Sequence, residues 1–184
     1  MKLSDGEKLI LIMLSEIYTH LKINSDIDPT FVQEAIRSGN AWGLSSEYTG
    51  IFHGTDNDDP PAVDHATEIM SMWENIEFSY EELSDEDKER VKKEAHPFGE
   101  HVSFRGFDGN NESEYLSIAR FLTDKLDRFS LFKGRHLNSH MPSLATYDRM
   151  LAAYRTVLSS NPIPPLPASQ LIAILNEQTH PSQR

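Results

Sequence analysis

Apolar residues spaced three and four positions apart recur in separate runs along the chain, and most of these runs follow a helix-capping pattern. Ser4 and Glu7 form a capping box before the first run, and Asp28-Pro29 opens the second. The spacing places the apolar side chains of each run on one face of an α-helix. The later runs begin at Pro60-Pro61, Ser84, Asn110-Asn111, Ser143 and Leu171.

The pattern predicts an all-α fold. We expect a single compact helical domain over residues 1–178, with about six to seven helices joined by long irregular loops, and a disordered tail over 179–184. Residues 102–107 alternate apolar and polar side chains, which indicates at most a minor extended segment, too short to found a sheet. No internal repeat of fixed period is present, which argues against a helical solenoid.

The first run, from Leu9 to Leu21, is apolar around more than one helix face. Leu11 and Ile12 widen its stripe beyond the width that a helix with one solvated face carries. Such a helix is either central to the core or half-buried in a partner. Cyclic dimers are the commonest soluble assembly, so we predict that the protein is a homodimer.

Composition excludes several classes of function. The 184 residues carry a net charge of −12 without a long run of Lys and Arg, so duplex DNA is not expected as a partner. The chain has no cysteine, which excludes disulfides, Cys-ligated zinc and thiol catalysis and suits a reducing compartment. Charged residues precede and interrupt the N-terminal apolar run, so neither a signal peptide nor a membrane span is expected. These features predict a cytoplasmic protein.

Several short motifs, in this order, give the chain a resemblance to a known family. They are Glu7-Lys8-Leu9-Ile10-Leu11, Ser38-Gly39-Asn40, Phe104-x-Gly106-Phe107-Asp108, Tyr115-x-x-x-Ala119-Arg120-Phe121, Arg128-Phe129, Leu137-Asn138, Pro142 and Tyr147-x-Arg149-Met150-Leu151. The chain resembles the YfbU family of bacterial proteins over most of its length. The Gly-Phe-Asp and Tyr-x-Arg-Met-Leu elements are fairly specific together. The resemblance implies an all-α, cytoplasmic, bacterial protein, and it brings no reaction and no catalytic residues with it.

The sharpest candidate for chemistry is the segment from Arg135 to His140. An arginine and a histidine separated by four residues are similar to the motif of HEPN-type ribonucleases, which are helical and need no metal. His140 would act as acid or base near neutral pH, and Arg135 would bind the scissile phosphate. His136 and Asn138 would support them.

Arg128 and Lys133 extend this candidate site, because they add positive potential near the same loop. The alternative interpretation is structural: these residues hydrogen-bond loop carbonyls and cap the neighbouring helices. The predicted loop position of the Arg135–His140 motif favours this alternative, since the ribonuclease motif usually lies at or within a helix.

A metal site is a weaker candidate. Histidines and aspartates cluster in the sequence. The histidines do not form the H-E-x-x-H motif of zinc proteases, and the aspartates form an acidic turn without the glycine and glutamate of a calcium-binding loop. We therefore predict no metal and no cofactor. The clustered residues are His53, Asp56, Asp58, Asp59 and His65, with His136 and His140 four apart.

We predict a non-catalytic binding or regulatory module that acts as a homodimer. The alternative is a metal-independent endoribonuclease with Arg135 and His140 in its site and RNA as its substrate. Among the aromatic residues, Trp73 is predicted to lie in the core, whereas Trp42 fits either a core or an interface.

Overall fold

The computed structural model describes residues 3–52, 59–160, 164–180 and 182. Within these residues the fold is all-α, as predicted, and it has one α-helix more than the upper limit of the sequence prediction. The additional helix is the short α3. The helices are α1 (Asp5–His20), α2 (Pro29–Arg37), α3 (Gly43–Glu47), α4 (Pro61–Glu81), α5 (Asp85–Glu94), α6 (Ser113–Asp124), α7 (Leu144–Ser160) and α8 (Ala168–Asn176), with 3₁₀ turns at Phe98–Glu100 and Ser130–Phe132.

Helices α1, α2, α4 and α5 begin where the sequence predicts, whereas α8 begins at Ala168, before the predicted Leu171. Ser4 and Glu7 form a complete capping box, with the Ser4 backbone N–H donating to the Glu7 carboxylate at 2.7 Å. Asp28 accepts a hydrogen bond from the backbone N–H of Thr30 at 2.8 Å, and Pro29 occupies the first helical position. These side chains satisfy backbone donors that have no partner inside the helix.

The long helix α4 is central to the core. Ile69, Met70, Met72 and Ile76 are fully buried, and α4 packs against α6, α7 and α8. Trp73 is buried on the same helix, as predicted. The highly charged α5 buries Val91 alone and so contributes little to the core.

Two loop segments, 101–112 and 129–143, pack against each other beside this core. Their backbones meet in a single parallel bridge between Phe107 and Asn138. Among the described residues no strand forms, so the extended segment expected near 102–107 is as minor as predicted. Gly106 permits the close approach, because it has φ of +82° and a Cβ there would lie 1.9 Å from the carbonyl oxygen of Leu137.

Helix α1 lies at the periphery and packs chiefly along α2. Its inner face includes Ser15, which is buried, and Leu11, which is partly buried. Among the described residues, no helix combines the length and the apolar character that crossing a membrane requires. The domain limits 1–178 and 179–184 and the cytoplasmic location stay predictions.

Candidate functional site

The buried carboxylate of Glu112 organises the loop segments around the predicted site. It accepts hydrogen bonds from the backbone N–H groups of Ser143 at 2.6 Å, Leu144 at 2.8 Å and Asp108 at 2.9 Å, and from the Ser143 hydroxyl at 2.7 Å. Burial alone would raise the pKa of Glu112, but the hydrogen bonds from Leu144, Asp108 and Ser143 outweigh it and lower the pKa. The first donors of α7 are therefore satisfied by a side chain 31 residues away.

Arg135 is held by a second buried carboxylate, that of Glu77 on α4. The guanidinium Nη1 lies 2.8 and 2.9 Å from the two carboxylate oxygens, and the backbone N–H of Phe104 donates to the same carboxylate at 2.6 Å. The guanidinium also lies over the ring of Phe132, 5.2 Å from its centroid. Because Glu77 neutralises its charge, Arg135 connects the loop to the core in this structure, and a phosphate would have to compete with Glu77 for it.

His136 and His140 follow Arg135 in segment 129–143, and their side chains lie together. Their rings stack with centroids 5.4 Å apart and an angle of 19° between planes. His140 adopts the left-handed conformation, with φ of +56°, and its backbone N–H donates to the Asn138 side-chain oxygen at 3.0 Å. The same oxygen accepts the backbone N–H of Gly109 at 3.0 Å, so Asn138 joins the two loops.

Asp108 lies near this histidine pair. Its pKa is lowered, first by the hydrogen bond from the Asn111 side chain and then by that from the Asn110 backbone, and the charge of His140 adds a smaller effect. Within the described residues, no group of three His, Asp or Glu side chains has a geometry that could hold a metal ion.

The two remaining predicted site residues have other surroundings. The ammonium of Lys133 pairs with Asp127, which raises the pKa of Lys133 through that hydrogen bond. The charge of Arg128 acts on Asp59 at longer range. The structure thus brings His136, Asn138 and His140 together, while Arg135 and Lys133 each have a partner of their own.

His65 belongs to a network that the sequence alone did not indicate. Its Nε2 lies 2.8 Å from the Asp148 carboxylate, and its Nδ1 lies 2.9 Å from the Tyr115 hydroxyl. These contacts join α4, α6 and α7. Three of the other residues considered as metal ligands lie outside the described residues: His53, Asp56 and Asp58.

The outer face of α1 carries a cluster of exposed large apolar side chains. Ile10, Leu14, Ile17 and Leu21 are between 51% and 63% exposed, and we call them the α1 seam. Their spacing of four, three and four residues is that of positions a and d in a coiled coil, whose side chains face a second helix. Leu9 and Met13 flank the seam and are as exposed.

The first turn of α1 carries acidic residues, and basic residues lie near its other end. Asp5 and Glu7 lie in its first turn, whereas His20 lies in its last turn and Lys22 follows shortly after. An antiparallel copy of the same helix would set the acidic end of each copy beside the basic end of the other. The helix dipoles would also be oppositely aligned, which favours this arrangement.

Comparisons with known proteins agree with the resemblance of the motifs. A sequence model of the YfbU domain matches residues 1–175. A protein named UPF0304 from the archaeon Methanocaldococcus jannaschii is 30% identical over 94 residues, which are 48% of this chain and 52% of that relative. The chain therefore spans about half the length of the curated relative that it matches. Because this relative is archaeal, the expected bacterial source stays a prediction.

Proposed function

The chain belongs to the YfbU family, and from that premise we propose that it is a non-catalytic binding module that acts as a homodimer through the α1 seam. The single observation that carries the proposal is the exposed apolar a and d pattern of Ile10, Leu14, Ile17 and Leu21. Leaving such a stripe in water is unfavourable, and its pairing with a second helix removes it from solvent.

The area of the surface suits a dimer. Leu9 and Met13 flank the α1 seam, and at about 100 Å² for each half-exposed aliphatic side chain the six residues offer about 600 Å², against about 800 Å² per partner in a standard interface. Ile23 and Ile27, which follow α1 in the sequence, are also exposed. A monomeric protein rarely exposes a larger contiguous apolar patch.

The occupant that fits best is a second copy of this chain. A two-fold axis brings the same patch of each copy together, so the surface must be complementary to itself. The α1 seam is continuous along the helix, and the acidic first turn and basic end become complementary when the two helices run antiparallel. A single patch therefore supplies both halves of the interface.

The test is the molar mass of the protein in solution, measured by light scattering after size exclusion at micromolar concentration. We expect twice the chain mass of 20.9 kDa for the parent protein and the single-chain mass for Leu14→Asp/Ile17→Asp. Ile51→Asp is the matched control, since Ile51 is an isoleucine of 58% exposure outside α1. It should remain dimeric. A parent protein with the single-chain mass, or a dimer that survives the double substitution, would contradict the proposal.

The ribonuclease hypothesis stays a prediction. It requires a free arginine beside the histidine, whereas the guanidinium of Arg135 is paired with the buried Glu77 carboxylate. The ring of His140 stacks on His136. These contacts favour the structural interpretation of the loop.

A further inference from the structure

A cavity of about 440 Å³ lies between α4, the 3₁₀ turn Phe98–Glu100, the segment 101–105 and the start of α7. Its size is within the range of about 300–1,000 Å³ that small-molecule sites occupy. Its lining combines apolar and aromatic side chains with a larger number of polar ones, so it offers both kinds of contact to a ligand. The α1 seam does not contribute to it.

One wall of the cavity is a row of polar side chains. Exposure alternates along segment 101–105, with exposed residues at 101, 103 and 105 and less exposed ones at 102 and 104. His101, Ser103 and Arg105 are exposed and line the cavity, whereas Phe104 between them is buried in the core. The brief alternation visible in the sequence therefore separates a core-facing side from a cavity-facing side.

Arg105 brings an unneutralised positive charge to this wall. Within the part of the chain that the structure describes, no carboxylate lies within ion-pair distance of its guanidinium. Glu100, which also lines the cavity, has its carboxylate 3.2 Å from Nε2 of His96. A free guanidinium in a protein with a net charge of −12 is a suitable partner for an anion. Four other arginines do have carboxylate partners: Arg37, Arg90, Arg135 and Arg155.

Trp73 supplies a second, independent observation at the same cavity. Its side chain lines the cavity and is only 2% exposed, and its indole N–H has no hydrogen-bond partner among the described residues. A buried donor without an acceptor is destabilising, and an acceptor atom from a ligand would satisfy it. Pro97, Phe98 and Met141 provide apolar lining, with Met141 exposed at 70%.

We propose that this cavity binds a small organic carboxylate with an apolar body. Arg105 holds the carboxylate, Ser103 and His101 offer further polar contacts, and the apolar body lies against Phe98 and Met141. A methionine at the cavity adapts to the shape of such a body, because its side chain is unbranched and polarisable. The proposal is independent of the dimer, since α1 takes no part in the cavity.

The experiment uses benzoate and phenylacetate as probes and the ¹⁵N-labelled full chain. The protein has two tryptophans, so its indole N–H signals report on two places. Trp73 lies at the cavity, whereas the indole N–H of Trp42 is bonded to Asn40 at 3.0 Å and serves as the internal reference. We expect each probe, at millimolar concentration or below, to shift the Trp73 signal saturably and to leave the Trp42 signal in place.

Two arginine variants separate the role of this charge from a general effect of positive charge. Arg105→Gln should weaken binding by about tenfold or more, because a charge-assisted hydrogen bond is lost. Arg120→Gln, which changes an exposed arginine on α6, should bind as the parent does. Benzyl alcohol, the neutral analogue, should not produce the saturable shift.

Four results would overturn the proposal. They are the absence of a saturable shift with both carboxylates, equal shifts of the two indole signals, equal binding of benzyl alcohol, and unchanged affinity in the Arg105→Gln variant. Circular dichroism of each variant confirms that it is folded. Leu14→Asp/Ile17→Asp should bind the probes as the parent does, so failure of the dimer and failure of this site are distinguishable.

Discussion

Replacing Glu112 with glutamine removes the charge that holds the start of α7 against segment 101–112. The carboxylate accepts three backbone N–H bonds and one hydroxyl bond, from Asp108, Ser143 and Leu144. A glutamine keeps one acceptor oxygen and turns an NH₂ donor toward the other donors. At about 1–3 kcal/mol for each buried donor left unpaired, we expect the free energy of unfolding to fall by about 2–4 kcal/mol.

The same carboxylate gives the protein a pH dependence. The folded pKa of Glu112 lies below its ordinary value of 4.5, because its hydrogen bonds outweigh burial. A group with a lowered folded pKa stabilises the fold fully above its unfolded pKa, and this contribution is lost as pH falls through the folded pKa. The stability difference between the parent and Glu112→Gln should therefore shrink as the pH falls below 4.5.

Urea denaturation followed by circular dichroism measures both effects, at neutral pH and at a pH below 4.5. Glu114→Gln is the matched control, because Glu114 lies two residues further along and is exposed. It should change the free energy of unfolding by less than about 0.5 kcal/mol. A Glu112→Gln variant that stays within about 0.5 kcal/mol of the parent at neutral pH, or a difference that grows on acidification, would contradict this role of Glu112.

Three further predictions concern the loops. Gly106→Ala should lower the unfolding free energy by about 3 kcal/mol or more, measured in urea, since its Cβ would lie 1.9 Å from the Leu137 carbonyl oxygen; a smaller loss than about 1 kcal/mol contradicts this. Arg135→Met should be destabilising by about 2–4 kcal/mol in the same assay, because the buried Glu77 carboxylate loses its counterion, and a stabilised variant would show that the pair is not needed. Metal-free protein should leave a mixed RNA pool intact on a gel; cleavage that His140→Ala abolishes would instead support the ribonuclease hypothesis.

Features set by local spacing could be predicted from the sequence. The Ser4 capping box and the first turn at Pro29 depend on residues within one helical turn, so the chain specifies them without tertiary information. The excess width of the α1 stripe is also local, but the structure exposes Ile10, Leu14 and Ile17, whereas Leu11 and Ile12, which widen the stripe in the sequence, are partly buried. Trp42, for which the sequence allowed two environments, is buried and bonded to Asn40.

Features that depend on distant partners could not be predicted. Arg135 lies in a loop that suggested phosphate binding, and its partner Glu77 is 58 residues away in a helix whose many carboxylates look alike in sequence. Ser143 does precede α7, but its hydroxyl donates to Glu112 and does not cap the helix itself. The cavity beside Arg105 could not be predicted for the same reason, since Trp73 lines it from α4.

The most direct test of the proposed dimer is a distance between two copies of α1. The chain has no cysteine, so Asp5→Cys provides a single site for a spin label at the exposed start of the helix. Antiparallel pairing centred on the α1 seam places the two labels about 30 Å apart, at 1.5 Å of rise per residue. Electron–electron double resonance at micromolar concentration should show this distance, and Leu14→Asp/Ile17→Asp should remove it. The absence of any dipolar signal in the parent, or a distance near 10 Å from parallel pairing, would contradict the account.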